Sequence, residues 1–234
     1  QVSATIAQTG LKGGMLAVNT SAEAVQRKLE ALTRGRAVVG CFNCWSSCTV
    51  SGDKDAIDEL QEALREGQIS CTRLPMDVAY HSFHMETVRA RYEAALANIP
   101  HDSAGQTIPM FSSVSGALVT PKEMNPSYWV QNLVKPVNFT NAMVSLLNHK
   151  NGQNRAIDRQ AFANIFLEVG PHSALRTYVL DILQKAEKFV DLTYGNMLRK
   201  NFDGVETVLQ AMGNLWTKAY PINMDLVNET NANV

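Results

Sequence analysis

The side chains able to do acid–base chemistry near neutral pH are few. Among five histidines, His81 and His84 share the segment VAYHSFHM, and His172 sits in FLEVGPHSAL. An imidazole titrates close to neutrality, which suits it to take a proton from a nucleophile and return it to a leaving group. Cys41, Cys44, Cys48 and Cys71 include one C-x-x-C spacing, a pattern used for zinc or redox chemistry. No second such pair and no nearby histidine accompanies it. The thiols therefore read as reduced and mostly buried, packing as small apolar residues, and no metal site is expected.

Composition limits what those residues serve. Of 234 residues, 45% are hydrophobic and 18% charged, the balance of a globular protein with a sizeable core. A formal net charge of -1 recommends neither nucleic acid nor an anionic membrane as partner, so an anionic substrate must be held locally. No apolar run reaches the roughly 20 residues needed to cross a bilayer, and the opening QVSATIAQTG lacks a basic flank and an apolar signal core. Cytoplasmic location is the default expectation. The first residue, Gln1, fits a fragment or a processed product.

Hydrophobic periodicity supplies the elements that must position the histidines. Residues 13–77 read as a β-α-β-β-α-β unit, the ferredoxin-like pattern. GGMLAV is a strand, and Ser21 caps a helix with Ala22, Val25, Leu29 and Leu32 on one face. Strands follow over residues 37–42 and in SSCTVSG. Asp53 opens a second helix with Ile57, Leu60 and Leu64 inward, and SCTRLPMD supplies the last strand. Residues 78–190 form a second part. VAYHS leads into a helix with Met85, Val88, Tyr92 and Leu96 inward, and Pro100 follows its end. IPMFSSVSG is a strand and turn, Tyr128 to Leu133 and Asn141 to Leu147 are helical, and HKNGQNRAIDRQ is a polar loop. FLEVG reads as a buried strand running into Pro171 and a helix with Leu175, Val179 and Leu183 inward. Residues 191–234 form a tail with one amphipathic helix, marked by Val205, Val208, Leu209, Met212 and Leu215, before the polar end NETNANV.

Four stretches, in this order, resemble acyltransferase domains of polyketide and fatty acid synthases: GGMLAV, the run from Cys41 to Gly52, VAYHSFHM and FLEVGPHSAL. SYWVQNLVKPVNF fits the family between the last two, and MLRKNFDG with LW resembles the linker that follows the domain. The chain is therefore identified as resembling the C-terminal portion of a malonyl-type acyltransferase of a fungal, highly reducing iterative polyketide synthase. The resemblance implies an α/β fold, with a ferredoxin-like small subdomain joined to part of an α/β-hydrolase-like larger one. The family's nucleophilic serine lies in Gly-His-Ser-x-Gly, and no Gly-x-Ser-x-Gly occurs in these 234 residues. On this reading the upstream half is missing, the isolated chain is inactive, and apolar faces beyond residue 78 lack their cover.

The resemblance assigns roles to what is present. A serine nucleophile needs a neighbouring base, and the family's spacing to a Met four residues on selects His81, with Met85, over His84. His84 reads as a surface or packing residue. The family orients its His with a backbone carbonyl, and the turn Gly170-Pro171-His172 is the expected source. His172 is read as a turn residue there, with a role as base the alternative. Val78, Ala79 and Tyr80 fall where the family reads the size of the extender unit. A bulky Tyr80 favours malonyl over methylmalonyl, although one methyl discriminates by only about 1–3 kcal/mol. Asn43 occupies an active-site-support position but is followed by Cys44 and Trp45 where the family has Ser-Pro. The resemblance further implies malonyl-CoA as substrate, a carrier-protein phosphopantetheine as acceptor, no permanently bound cofactor, and neighbouring ketosynthase and dehydratase domains. A non-catalytic module that docks a carrier protein is the alternative, and an unrelated ferredoxin-like binding domain is a third reading.

Overall fold

The computed structural model describes residues 2–98, 108–149, 165–187 and 193–228. Pro100, the loop after His149 and the tail beyond Asn228 lie outside the described residues.

The first part of the chain builds a sheet with both faces covered. Its strands are β1 (Gly13–Val18), β2 (Ala37–Cys44), β3 (Ser47–Asp53) and β4 (Cys71–Arg73), and its helices α2 (Ala22–Leu29) and α3 (Lys54–Glu66). A further helix, α1 (Val2–Thr9), precedes them. The strands run antiparallel in the order β4-β1-β3-β2, the ferredoxin-like arrangement expected from the sequence. Alternation along a strand sends successive side chains to opposite faces. Leu16, Val18, Val39, Cys48 and Val50 accordingly meet Val25 of α2 and Ile57, Leu60 and Leu64 of α3 in one fully buried cluster. Each such side chain stabilises the fold by about 1.5–3 kcal/mol. Ser21 caps α2 as expected, accepting the Ala24 N–H at 3.3 Å.

The opposite face carries the backbone of residues 78–82. Glycine permits this close approach at Gly13, where a Cβ would lie 2.6 Å from the Ala79 nitrogen; at Gly40 a Cβ would meet the carbonyl oxygens of Tyr80 and His81 at 3.5 Å, ordinary contact. That second cover explains why β3 is buried along nearly its whole length instead of alternating.

The remaining elements pack around this unit. A 3-10 turn (Phe83–Val88) continues into α4 (Arg89–Leu96), so the single helix read from VAYHSFHM onward begins in a tighter winding. Met85 and Val88 point inward as expected, against Ile6 of α1 and Val130 and Val134 of α5 (Pro126–Val134), so their face is covered within the chain, contrary to the expectation that apolar faces beyond residue 78 lack their cover. A hairpin of β5 (Met110–Ser112) and β6 (Ala117–Val119) precedes α5. After α5, β7 (Val137–Asn138) adds to the main sheet parallel to β2, making five strands. Helix α6 (Phe139–Leu147) then packs with α7 (Arg176–Lys185) on the end of β2, around Cys44, Met143, Leu147, Val179, Ile182 and Leu183.

Three sequence readings are corrected here. The FLEVG strand, β8 (Ile165–Glu168), is only half-buried, because among the described residues it has one strand partner, the parallel β9 (Thr193–Asn196), and Val169 beyond it is 82% exposed. Leu175, read as inward, stands outside α7 and is 38% exposed. In α8 (Gly204–Thr217) the buried stripe is Thr207, Ala211 and Leu215, whereas Val205 is 69% exposed and Leu209 also faces out. The apolar residues of that helix occupy more than one face, so periodicity alone could not decide which one is covered. A short α9 (Met224–Val227) closes the described chain.

Candidate active site

His81 sits at the handover from β4 to the 3-10 turn, and its backbone is unusual. Its φ is 58°, the left-handed region, which costs an L residue about 1–2 kcal/mol. Such a conformation persists only where the surroundings fix it. Here they do so from both sides. The Ser51 hydroxyl donates to the Tyr80 carbonyl at 2.5 Å. Ser82 donates its hydroxyl to the Ala79 carbonyl at 2.6 Å and accepts the His84 N–H at 3.2 Å, closing a tight loop around His81.

The ring is half-buried, with Nδ1 3.1 Å from the carbonyl oxygen of Lys135. A carbonyl only accepts, so Nδ1 holds the proton and Nε2 is the nitrogen that presents a lone pair. Lys135 is the residue that ends α5. Carbonyls of a last helical turn have no partner within the helix, and Pro136, lacking an N–H, supplies none. Burial lowers the His81 pKa from its ordinary value, and the Lys135 and Asn132 carbonyls oppose that shift. The ring is therefore biased toward the neutral form that a base requires.

The carbonyl expected from Gly170, Pro171 or His172 is thus replaced by that of Lys135. Pro171 and His172 are exposed. Their turn serves α7 instead: Glu168 accepts the backbone N–H groups of Ala174 and Leu175 there. The sequence did carry the signal for the true partner. The helical SYWVQNLV followed by Lys135-Pro136 announces a helix end with free carbonyls.

Of the two readings of His84, surface or packing, the structure supports packing: it is 1% exposed, with Nε2 2.7 Å from Oδ1 of Asp53. Nothing local in the sequence joins positions 53 and 84; only the fold brings the end of β3 beneath the 3-10 turn. Asn43, in β2, donates its side-chain N–H to Thr49 Oγ1 at 3.0 Å, a bond across to β3. Ala79 is fully buried, Val78 partly so, and Tyr80 packs half-buried against the Met85 and Val130 cluster. Cys41, Cys44, Cys48 and Cys71 are free thiols. Among the described residues, no group of three or more His, Cys, Asp or Glu is arranged to hold a metal, and no helix is long and apolar enough to cross a membrane.

The His81 imidazole is thus held on a helix-end carbonyl, and comparison with known proteins decides the family. The profile described as "Acyl transferase domain" matches residues 2–219. The chain belongs to the acyltransferase domain family. Its relatives include the partially reducing polyketide synthase tpeA of Talaromyces stipitatus, 38% identical over 223 residues, which are 93% of this chain and 9% of that protein. The highly reducing polyketide synthase cnsI of Penicillium expansum is 36% identical over 97% of this chain and 10% of its own length. This acyltransferase chain thus spans about a tenth of these relatives. Among solved structures, the acyltransferase domain from module 8 of the salinomycin polyketide synthase superposes with a TM-score of 0.77 at 28% identity, over 92% of this chain and 47% of that one. The malonyl CoA-acyl carrier protein transacylase of Clostridium perfringens shares the fold, with a TM-score of 0.70 at 19% identity over 93% of this chain and 64% of that one.

Proposed function

We propose that this acyltransferase chain supplies the base of a malonyl transferase, His81, to a serine carried outside the 234 residues. The supporting observation is the pairing of His81 Nδ1 with the Lys135 carbonyl at 3.1 Å, which leaves Nε2 to accept a proton. In the first half-reaction Nε2 takes the serine proton as the oxygen attacks the thioester carbonyl of malonyl-CoA. The tetrahedral adduct collapses, the C–S bond breaks, and the imidazolium returns the proton to the departing thiolate of coenzyme A. In the second, Nε2 deprotonates the phosphopantetheine thiol of an acyl carrier protein. The thiolate attacks the seryl ester and the serine oxygen leaves with the proton. No permanently bound cofactor takes part.

Malonyl is the proposed extender unit because Tyr80 brings bulk to the position next to the base. Its packing against the Met85 cluster supports a fixed ring. Asn43 is proposed only as support for β2 beside the site. Residues 13–77 act as the small subdomain, 78–190 as part of the larger one and 191–234 as the following linker. The partners proposed are the carrier protein, the remainder of the acyltransferase, and neighbouring ketosynthase and dehydratase domains.

The test is intact-mass analysis after exposure to labelled malonyl-CoA. The complete synthase should gain one malonyl group on serine, and His81→Ala should slow its formation about 100- to 10,000-fold, the usual worth of a general base. The isolated chain should gain none. Rapid stoichiometric labelling of the isolated chain, or of the His81→Ala synthase, would refute the reading.

A further inference from the structure

We infer that Asp53 and His84 form a positioning pair that holds His81 in its left-handed conformation for proton transfer, an inference that rests on His81 being the base. The pair lies outside the Lys135 contact already described and acts on the other side of the residue. Asp53 Oδ1 accepts the Nε2–H of His84 at 2.7 Å, and Oδ2 accepts the Arg36 N–H at 2.7 Å. Ser51 and Asp53 are two apart on β3 and so project from the same face. One holds the Tyr80 carbonyl, just before His81, and the other holds the His84 ring, just after it. The turn that carries the base is therefore pinned to one strand at two points, with the left-handed residue between them.

Both residues give up local stability in making this bond, which separates positioning from filling. Asp53 stands at the N-terminal cap of α3, yet its side chain makes no cap hydrogen bond. Helix starts favour a capping carboxylate, and this one is turned away toward His84 and Arg36. Among the described residues, His84 buries Nδ1 without a hydrogen-bond partner. A buried polar atom left unpaired is unfavourable, and a leucine would fill the space without that cost. The residue types make sense if the Nε2–Asp53 bond is what position 84 supplies. The Arg36 guanidinium, 4.6 Å over the Phe83 ring, closes the same cluster from the loop before β2.

The consequence is kinetic. Freed from Asp53, the turn relaxes toward ordinary backbone and Nε2 of His81 moves off its line to the serine. A misplacement of about 1 Å is worth roughly 100-fold in rate, while substrate binding is little affected. In the complete synthase, His84→Leu should lower kcat for seryl acylation about 10- to 100-fold with KM within about two-fold. His84→Gln places an amide N–H near the Nε2 position and should restore the rate to within about three-fold of wild type. Asp53→Ser keeps a capping residue for α3 but is too short to reach His84, so it should reproduce the Leu result; it also carries the test if His84→Leu fails to fold. Added to His81→Ala, either lesion should slow the residual acylation no further. Wild-type rates in folded His84→Leu or Asp53→Ser, equal losses in the Gln and Leu variants, or losses that multiply with His81→Ala would each overturn the positioning role. If His81→Ala itself acylates normally, it is the assignment of the base that fails.

Discussion

Glu168 joins Tyr194 to the start of α7. Its Oε2 accepts the phenolic proton of Tyr194 at 2.5 Å, across the parallel pair of β8 and β9. Its Oε1 accepts the Ala174 N–H at 2.9 Å, and both oxygens approach the Leu175 N–H, at 3.3 and 3.2 Å. Leu175 cannot cap its own helix, and α7 has no side-chain cap of its own. A carboxylate from the preceding strand performs that service, with the favourable sign for a helix N-terminus.

Removing this carboxylate should therefore unsettle the turn without touching His81. Glu168→Ala is expected to lower stability by about 1–3 kcal/mol, in the range for hydrogen bonds to a charged group, and urea unfolding would register it. Burial, then the bond to Glu168, pushes the Tyr194 pKa well above its ordinary value. A proton held more tightly in the fold is lost first from the unfolded chain, so this contribution is complete below about pH 10 and fades as pH rises beyond it. Tyr194→Phe should flatten that alkaline decline while losing about 1 kcal/mol at neutrality. An unchanged alkaline slope would show that the Tyr194–Glu168 bond does not couple to folding.

For His81 the sign is opposite. Its pKa is lowered, chiefly by burial, so the unfolded chain binds the proton first as pH falls. Stability should decline as pH drops below about 6.5, the ordinary histidine value, and level off below the folded pKa. With His81 as the proposed base, the acidic limb of single-turnover acylation in the free enzyme should likewise fall below that ordinary value, because the ring stays neutral to lower pH. A limb at or above it would mean that the Lys135 and Asn132 carbonyls outweigh desolvation.

The two halves of the chain were not equally legible. Strand alternation and the Ser21 and Asp53 helix starts are local signals, and the order of the first four strands followed from them. The position of His81 was legible through VAYHSFHM. Its orienting carbonyl was misassigned to Gly170–His172, because the choice among carbonyls depends on where α5 ends in space and not on spacing. The Asp53–His84 bond was illegible for a related reason. Asp53 reads as a helix cap, and only the approach of the 3-10 turn to β3 reveals that its carboxylate is used elsewhere. In α8 the small side chain of Ala211 and the polar Thr207 are buried while Val205 is exposed, an inversion that no hydrophobicity pattern reports.

Thiol reactivity offers a separate check on the sheet. Burial pushes the Cys41 pKa up to about 11 and that of Cys48 up to about 12. The thiolate is the reactive form, so at pH 8 both should react with an aromatic disulfide reagent far more slowly than in denaturant. Mass mapping after brief labelling should find them unmodified in the folded protein. Fast labelling of Cys48 would show that the helix-covered face of the sheet opens readily.

The last prediction concerns Gly13, which is remote in sequence from His81, the proposed base, but adjacent to its support. A Cβ there would meet the Ala79 nitrogen at 2.6 Å and the Ala79 Cβ at 2.9 Å, distances that force β1 and residues 78–79 apart. Overpacking of this kind costs about 1–3 kcal/mol, a stability loss the large buried cluster beside α2 and α3 should absorb. The placement of His81 cannot absorb the shift so easily. Ala79 accepts the Ser82 hydroxyl, and that bond helps close the turn in which His81 has its positive φ. On the proposed function, Gly13→Ala in the complete synthase is therefore expected to remain folded at 25 °C while kcat for seryl acylation falls about 10- to 100-fold, on the same misplacement argument. Met15 lies two residues further along the same strand, and Met15→Leu, which conserves volume, serves as the control with a near-normal rate. Circular dichroism melting combined with single-turnover acylation separates the two effects. If Gly13→Ala loses stability by the expected amount yet acylates at the control rate, the contact between β1 and Ala79 does not govern where His81 stands.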